Sequence, residues 1–236
     1  MRQGSGFSGA DYFIQGLRLL GHPRLRLFIL IPLLINFLVF VGLSVLLVQY
    51  FSAMVELLTG WLPEWLAFLA WLLIFIAALF TVLIYGYFFS LITNLIAAPF
   101  YGMLAEQVEA LVTGRRVQGE PLWQMIPRTF IREIGKAWYF IWRSIIIFLL
   151  SFIPVFGQAI GFVWGAWSMS VQYTDYAADN HQWPFRQCRQ RLRSELWSSL
   201  SFGGLVLLGM MIPFVNIIVP TTAVIGGTVY WLDQES

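Results

Sequence analysis

Apolar residues run without interruption by charge in four places along the chain, and the lengths of those runs predict helices of two kinds. Leu27–Tyr50 is 24 residues long, about 36 Å as a helix, which is enough to cross a hydrocarbon core of about 30 Å. Trp65–Ala105 is 41 residues long, roughly 62 Å, about twice the membrane thickness. That run either tilts and projects beyond the membrane or bends near "NLIAAPFYG", where Asn94, Pro99 and Gly102 weaken the helical ladder. The other two runs, Ser144–Thr174 and Leu196–Leu232, are broken at their centres. In "SFIPVFGQAIG" the break is Pro154 and Gly157, and in "MIPFVNIIVP" it is Pro213, Asn216 and Pro220. The arm Ser144–Ile153 makes only about 15 Å of helix, so each broken run predicts a re-entrant hairpin that reaches mid-bilayer and returns. Backbone freed at such a tip needs partners, and Gln158 is placed to supply them.

Ahead of the first run, "SGADYFIQGLRLLGHPR" places Phe13, Leu17 and Leu20 on one side of a helix and Asp11, Gln15, Arg18 and His22 on the other. This predicts an interfacial amphipathic helix, started by Ser8 or Asp11 and ended by Gly21-His22-Pro23. With Asp11, four arginines and no continuous apolar stretch, residues 1–26 do not read as a secretory signal peptide.

Composition fixes the class. Of 236 residues, 59% are hydrophobic and 11% charged, too few ionisable groups to cover a water-soluble globule. The expected fold is an all-α integral membrane protein in a single membrane domain, residues 1–236. It comprises an interfacial helix (1–26), two long transmembrane helices (27–50 and 65–105), a cytoplasmic helical loop (106–143) and two re-entrant half-membrane helical hairpins (144–174 and 196–232). All 14 basic residues lie in Arg2–Arg26, Arg115–Arg143 or Arg186–Arg193, while the turn Phe51–Glu64 carries only Glu56 and Glu64. By the positive-inside rule the N-terminal segment and both basic loops are cytoplasmic. This is why the chain from Ser144 to Thr174 must enter and leave by one face.

Candidate chemistry is sparse. Gly16 is a misfit in a helix interior, costing about 1 kcal/mol relative to alanine. If the helix is interrupted there, the amides of Leu17 and Arg18 become free donors for an oxyanion beside the Arg18 guanidinium. Thirteen of the basic residues are arginines, which suit tetrahedral oxyanions and equally suit lipid phosphates. Asn36, Asn94, Gln158 and Asn216 fall within uncharged runs, where amides either line a path or glue helices. Gly157, Gly161 and Gly165 recur every four residues, a helix-packing face. Glu106 and Glu109 lie on one turn of a helix continuing past residue 105 and ended by Gly114, followed by Arg115 and Arg116. "FRQCRQRLRSELW" reads as a membrane-surface segment. His22 and His181 are far apart in sequence and Cys188 is a lone cysteine. No metal cluster, nucleophile–base pair or phosphate loop can be assembled, so neither an enzyme nor a cofactor is expected. Nucleic-acid binding is not expected either.

Gly16-Leu17-Arg18 near the start, the long second span running into "NLIAAPFYGMLAEQVE", and the two proline-centred hairpins together resemble the CysZ sulfate-transport family of bacterial inner membranes. The resemblance covers nearly the whole chain. It implies a multi-pass homo-oligomer among membrane lipids that takes up sulfate for cysteine synthesis, and the lack of a phosphate loop or of an acidic residue within the long spans favours a channel-like or ion-coupled route. It also implies sulfate binding at Gly16, Leu17 and Arg18; the candidate pore-lining residues Asn36, Asn94, Gln158 and Asn216 rest instead on their place within the uncharged runs. The competing expectation is a non-transporting membrane scaffold whose half-inserted hairpins shape the bilayer.

Overall fold

The computed structural model describes residues 8–61, 63–115, 121–153 and 156–235; Pro154 and Arg116 lie outside the described residues, as does the side chain of Asn94. Eight α-helices and two short 3-10 turns account for nearly all of the described chain, with no strand among the described residues. They are α1 (Ser8–Leu20), α2 (Arg26–Gly60), α3 (Ala70–Thr113), α4 (Leu122–Leu150), α5 (Phe156–Asn180), α6 (Phe185–Ser194), α7 (Leu196–Met210) and α8 (Val219–Glu235). The chain divides into two compact units, one of residues 1–29 and 98–236 and the other of residues 30–97.

The smaller unit is built from α2 and α3. It is held by a hydrogen bond of 2.8 Å between Ser44 and Tyr85 and by the rings of Phe40, Tyr85 and Phe89. Its outer surface is apolar: Leu34, Phe37 and Leu38 on α2 and Phe75, Phe80 and Leu83 on α3 are all exposed. Such a continuous apolar surface belongs in hydrocarbon rather than water. Three helical stretches, Arg26–Leu57, Ala70–Phe89 and Leu95–Thr113, are long and apolar enough to cross a membrane. The first long helix exceeds the expected 27–50, because α2 carries on through Glu56 to Gly60 and leaves only a short link before the 3-10 turn Glu64–Leu69. A single glutamate in a long apolar helix does not interrupt its backbone hydrogen bonding. The second long helix is continuous across Asn94, Pro99 and Gly102, ending at Thr113 before Gly114, whose φ is +70°.

In the larger unit α5 is the central element, packed against α4, α6, α7 and α8, and α1 lies across both α7 and α8. The α5–α7 contact is a backbone contact. A Cβ added to Gly203 would lie 1.8 Å from the Ala166 carbonyl oxygen, so these helices approach as closely as small residues allow. Phe202, Val171, Tyr230 and Trp231 fill the core beside it, and Cys188 and Leu192 anchor the inner face of α6. The α6 segment therefore packs on protein through its apolar side, in addition to presenting its arginines outward.

Both hairpins differ from expectation in detail. Ser144–Leu150 is the end of α4, a 29-residue helix that begins at Leu122, not a separate short arm. Gly157, Gly161 and Gly165 do not form one packing face. Gly157 is pressed against the Ser151 backbone of its own turn, Gly165 meets the Leu207 side chain, and Gly161 has only a distant contact with Ser151. Between α5 and α7 the close backbone approach is instead at Ala166 and Gly203. Gln158 is exposed and makes no side-chain hydrogen bond with the described residues. In the second hairpin the turn runs from Met211 through Pro213 to the 3-10 turn Val215–Ile217, with Phe214 at φ +67° and 85% exposed. Pro220 belongs to the first turn of α8, where its missing N–H is harmless.

Gly203 and Gly204 give a paired test. We expect Gly203→Ala to lower thermal stability in detergent by about 1–3 kcal/mol through overpacking. Gly204→Ala, whose Cβ would meet Ala166 Cβ at 4.0 Å, should be neutral or stabilising by up to about 1 kcal/mol through helix propensity.

Candidate functional site

Helix α1 is unbroken through Gly16, which corrects the expectation of free amides at Leu17 and Arg18. The glycine serves a different end: a Cβ there would lie 2.4 Å from the Thr222 carbonyl oxygen and 2.9 Å from the Gly226 nitrogen. The helix thus rests its backbone on α8. Gly9, Tyr12 and Gly16 are its buried side, whereas Leu17, expected on the apolar face, is 43% exposed. Tyr12 stacks on Tyr230 with centroids 4.8 Å apart, and its hydroxyl donates to Asp233. Past Leu20 the chain turns, with the His22 amide donating to the Leu19 carbonyl at 2.9 Å. Arg18, in the last turn of a helix clamped at three points, is exposed and makes no hydrogen bond or ion pair with the described residues.

Most of the other polar density was not anticipated from the sequence. Arg128, Arg132 and Lys136 on α4 face Asp175 and Asp179 on α5. The Arg132 guanidinium is bidentate on Asp175, with Nε to Oδ2 at 2.9 Å and Nη2 to Oδ1 at 2.6 Å. Its Nη1 also donates to the Trp183 carbonyl at 2.7 Å. Arg128 donates to both the Asp179 carbonyl at 2.7 Å and its carboxylate at 2.6 Å. Lys136, 2% exposed, pairs with Glu133 on its own helix and reaches Asp175 Oδ2 at 3.3 Å. Three cations thus meet three carboxylates, and Arg128 and Arg132 also satisfy carbonyls at and beyond the C-terminal end of α5. Beside this cluster His181 Nε2 donates to Glu109 at 2.8 Å, and its ring lies 4.3 Å from that of Trp231. The sequence signal was present but unread: Arg128, Arg132 and Lys136 recur every four residues, as do Asp175 and Asp179, so each set shares a helix face.

Burial alone would raise the Asp175 carboxyl, yet Lys136 and Arg132 against it hold it below the usual carboxylate range. Burial alone would likewise lower Lys136, and Asp175 and Glu133 hold it above its ordinary value. These are structural ion pairs, with their charges already matched.

The candidate pore-lining amides are dispersed. Asn36, on α2, is half-buried with Oδ1 buried and without a hydrogen-bond partner among the described residues. Gln158 sits in the first turn of α5 and Asn216 in the exposed 3-10 turn; the Asn94 side chain is outside the described residues. Neither Gln158 nor Asn216 makes a side-chain hydrogen bond with the described residues, so neither is occupied in gluing helices.

The ion cluster yields an expectation of its own. Arg132→Ala leaves Asp175 buried without its bidentate partner and should destabilise by about 3–5 kcal/mol, most of it recovered when Asp175 is also replaced by leucine. Because the Asp175 carboxyl is lowered on folding, its contribution is fully present above the ordinary carboxylate range and is lost as pH falls through the lowered folded value. The stability gap between wild type and Asp175→Asn, from thermal unfolding, should therefore stay constant from about pH 5 to 7 and shrink below about pH 4.

Comparison with known proteins places this architecture. Residues 12–220 match the family model described as Sulfate transporter CysZ/Etoposide-induced protein 2.4. The chain is 44% identical over 235 residues to the sulfate transporter CysZ of Pseudomonas fluorescens (strain Pf0-1), covering 97% of this chain and 94% of that one. It is 40% identical over 235 residues to the protein of the same name from Pseudomonas paraeruginosa (strain DSM 24068 / PA7), covering 97% and 96%. A third, from Pseudomonas syringae pv. tomato, is 39% identical, with 97% and 93% covered. The match runs from Tyr12, in the clamped helix α1, to Pro220 at the start of α8, and this chain belongs to the Sulfate transporter CysZ/Etoposide-induced protein 2.4 family.

Proposed function

We propose that this chain carries sulfate across the bacterial inner membrane as a homo-oligomer, supplying sulfur for cysteine synthesis, and that the anion is met at Gly16, Leu17 and Arg18. The relatives bear the name of sulfate transporters at 39–44% identity over nearly their full length. The observation that carries the site is the contrast among the arginines. Arg128 and Arg132 are matched by carboxylates, while Arg18 is exposed, without a partner among the described residues, on a helix seated against α8 by Gly16. The unbroken helix puts the binding role on the guanidinium, whose fork suits a tetrahedral oxyanion. Gly16 and Leu17 set its position.

The membrane arrangement we propose keeps α2 and α3 as full spans and the two hairpins as half-inserted. Helices α7 and α8 have 15 and 17 residues, about 23 and 26 Å, short of a hydrocarbon core of about 30 Å. The basic segments mark the cytoplasmic side. Asn36, Asn94, Gln158 and Asn216 are proposed to offer uncharged donors along a channel-like path, where a fixed charge at the midplane would trap a divalent anion.

The test is labelled-sulfate entry into proteoliposomes holding matched amounts of wild type, Arg18→Ala or Arg18→Lys, with chloride flux as control. Arg18→Ala should raise the half-saturating sulfate concentration about tenfold or more, as expected for loss of charge-assisted hydrogen bonds of about 1.5–3 kcal/mol. Uptake unchanged in Arg18→Ala would remove the site and leave the function standing. Wild-type uptake no greater than that of empty liposomes would overturn the function.

A further inference from the structure

A groove of about 490 Å³ opens along the side of α5 between α4 and α7, within the range of about 300–1,000 Å³ typical of small-molecule sites. Ile147, Ile160, Val163 and Leu200 make its walls, while Arg143 and Arg193 stand among aromatic rings. The Arg143 guanidinium lies 4.0 Å from the centroid of Tyr139 and that of Arg193 5.9 Å from Trp167. The Trp167 indole N–H donates to the Tyr139 hydroxyl at 3.1 Å, so the two rings under the arginines form one platform. Arg189 also stacks on Tyr139, at 4.2 Å, and its Nε is buried without a partner.

Neither Arg143 nor Arg193 is paired with a carboxylate among the described residues. Glu195, the nearest acid along the chain to Arg193, accepts instead from the Gln234 side chain at 3.2 Å. The sequence adds depth to this picture. Arg143 immediately precedes the uncharged run Ser144–Thr174, and Arg193 lies just ahead of the run Leu196–Leu232. The cations therefore sit where lipid headgroups sit, and the walls belong to the runs that enter hydrocarbon.

We propose that this groove binds an anionic phospholipid, with its phosphate between Arg143 and Arg193 and an acyl chain lying along Ile147, Ile160, Val163 and Leu200. Charge complementarity selects the occupant. A free divalent oxyanion would satisfy the arginines and leave the apolar walls bare, and an uncharged lipid would fill the walls and leave two guanidiniums unmatched. The rings contact the guanidiniums from one side, 4.0 Å away for Arg143 and 5.9 Å for Arg193, and a guanidinium held over a ring can still donate from its N–H edge to phosphate oxygens.

Native mass spectrometry of the full chain in neutral detergent, with phosphatidylglycerol or phosphatidylcholine added at equal concentration, tests this. Wild type should retain phosphatidylglycerol over phosphatidylcholine about tenfold, the preference expected when arginines meet an anionic headgroup. Arg143→Gln with Arg193→Gln should abolish the preference, and Arg143→Lys with Arg193→Lys should keep most of it, which separates lost charge from misfolding. Ala159→Trp, placed in the groove wall, should reduce retention of both lipids. An unchanged preference in the double glutamine variant would overturn the proposal. Sulfate binding at these arginines that persists in Ala159→Trp, with lipid retention also unchanged, would assign them to the free anion. A shift of oligomeric mass in Ala159→Trp without loss of lipid would assign the groove to a second copy of the chain. Either result would overturn lipid occupancy.

Discussion

The approach of α7 to α5 at Gly203 and Ala166 is the constraint on which the larger unit depends. With no side chain between them, the two backbones set a fixed spacing. Val171, Phe202 and Tyr230 then pack in the space beside the contact. Helix α8 joins by the same device, since a Cβ on Gly227 would lie 2.8 Å from the Tyr173 carbonyl oxygen. In a membrane, where lipid tails are as apolar as leucine, contact of this kind replaces the hydrophobic effect as the source of association between helices. The placement of α1 follows, because its seat is the pair α7 and α8. The orientation of Arg18 is inherited from contacts made on the opposite side of its helix.

A second constraint divides the cations by role. Arg128 and Arg132 on α4 are committed to carboxylates on α5 and to carbonyls at and beyond its end, which ties the two arms of the first hairpin together just outside the uncharged run. A buried charge held this way is expensive to release, and it is correspondingly unsuited to meeting a transient ion. Arg18 on α1 instead reaches solvent from a rigid support, and Arg143 and Arg193 stand at the groove beside aromatic rings. Chemistry that needs an exchangeable anion is thereby separated from electrostatics that hold the fold.

Much of the architecture was legible in the sequence because bilayer thickness acts on run length and charge alone. The helical class, the end of α1 at Gly21-His22-Pro23 and the end of α3 at Gly114 all follow from local signals that no tertiary contact overrides. The length of α2 was not legible, since Glu56 looks like a boundary in the sequence but does not interrupt the helix. The packed side of α1 was not legible: a hydrophobicity pattern picks out Leu17, while close packing on α7 and α8 runs through Gly9 and Gly16, which carry no hydrophobic signal. The ion cluster escaped because Asp175 and Asp179 lie more than forty residues from their arginine partners, and a spacing of four on one helix does not say which other helix completes it. Within the proposed anion site, the arginine was recognisable from the chain and the glycine's partner on α8 was not.

The burial of Cys188 has a practical consequence. Its thiol is covered by the core beneath α6 and is pushed well up from its ordinary value by burial and by the nearby Asp175 charge, so the reactive thiolate scarcely forms. The chain has a single cysteine. A thiol introduced at an exposed place such as the turn around Phe214 would therefore take a spin label or fluorophore alone, without first stripping the protein of native sulfur. The natural sequence is already a background for measuring how deep that turn sits and whether it moves.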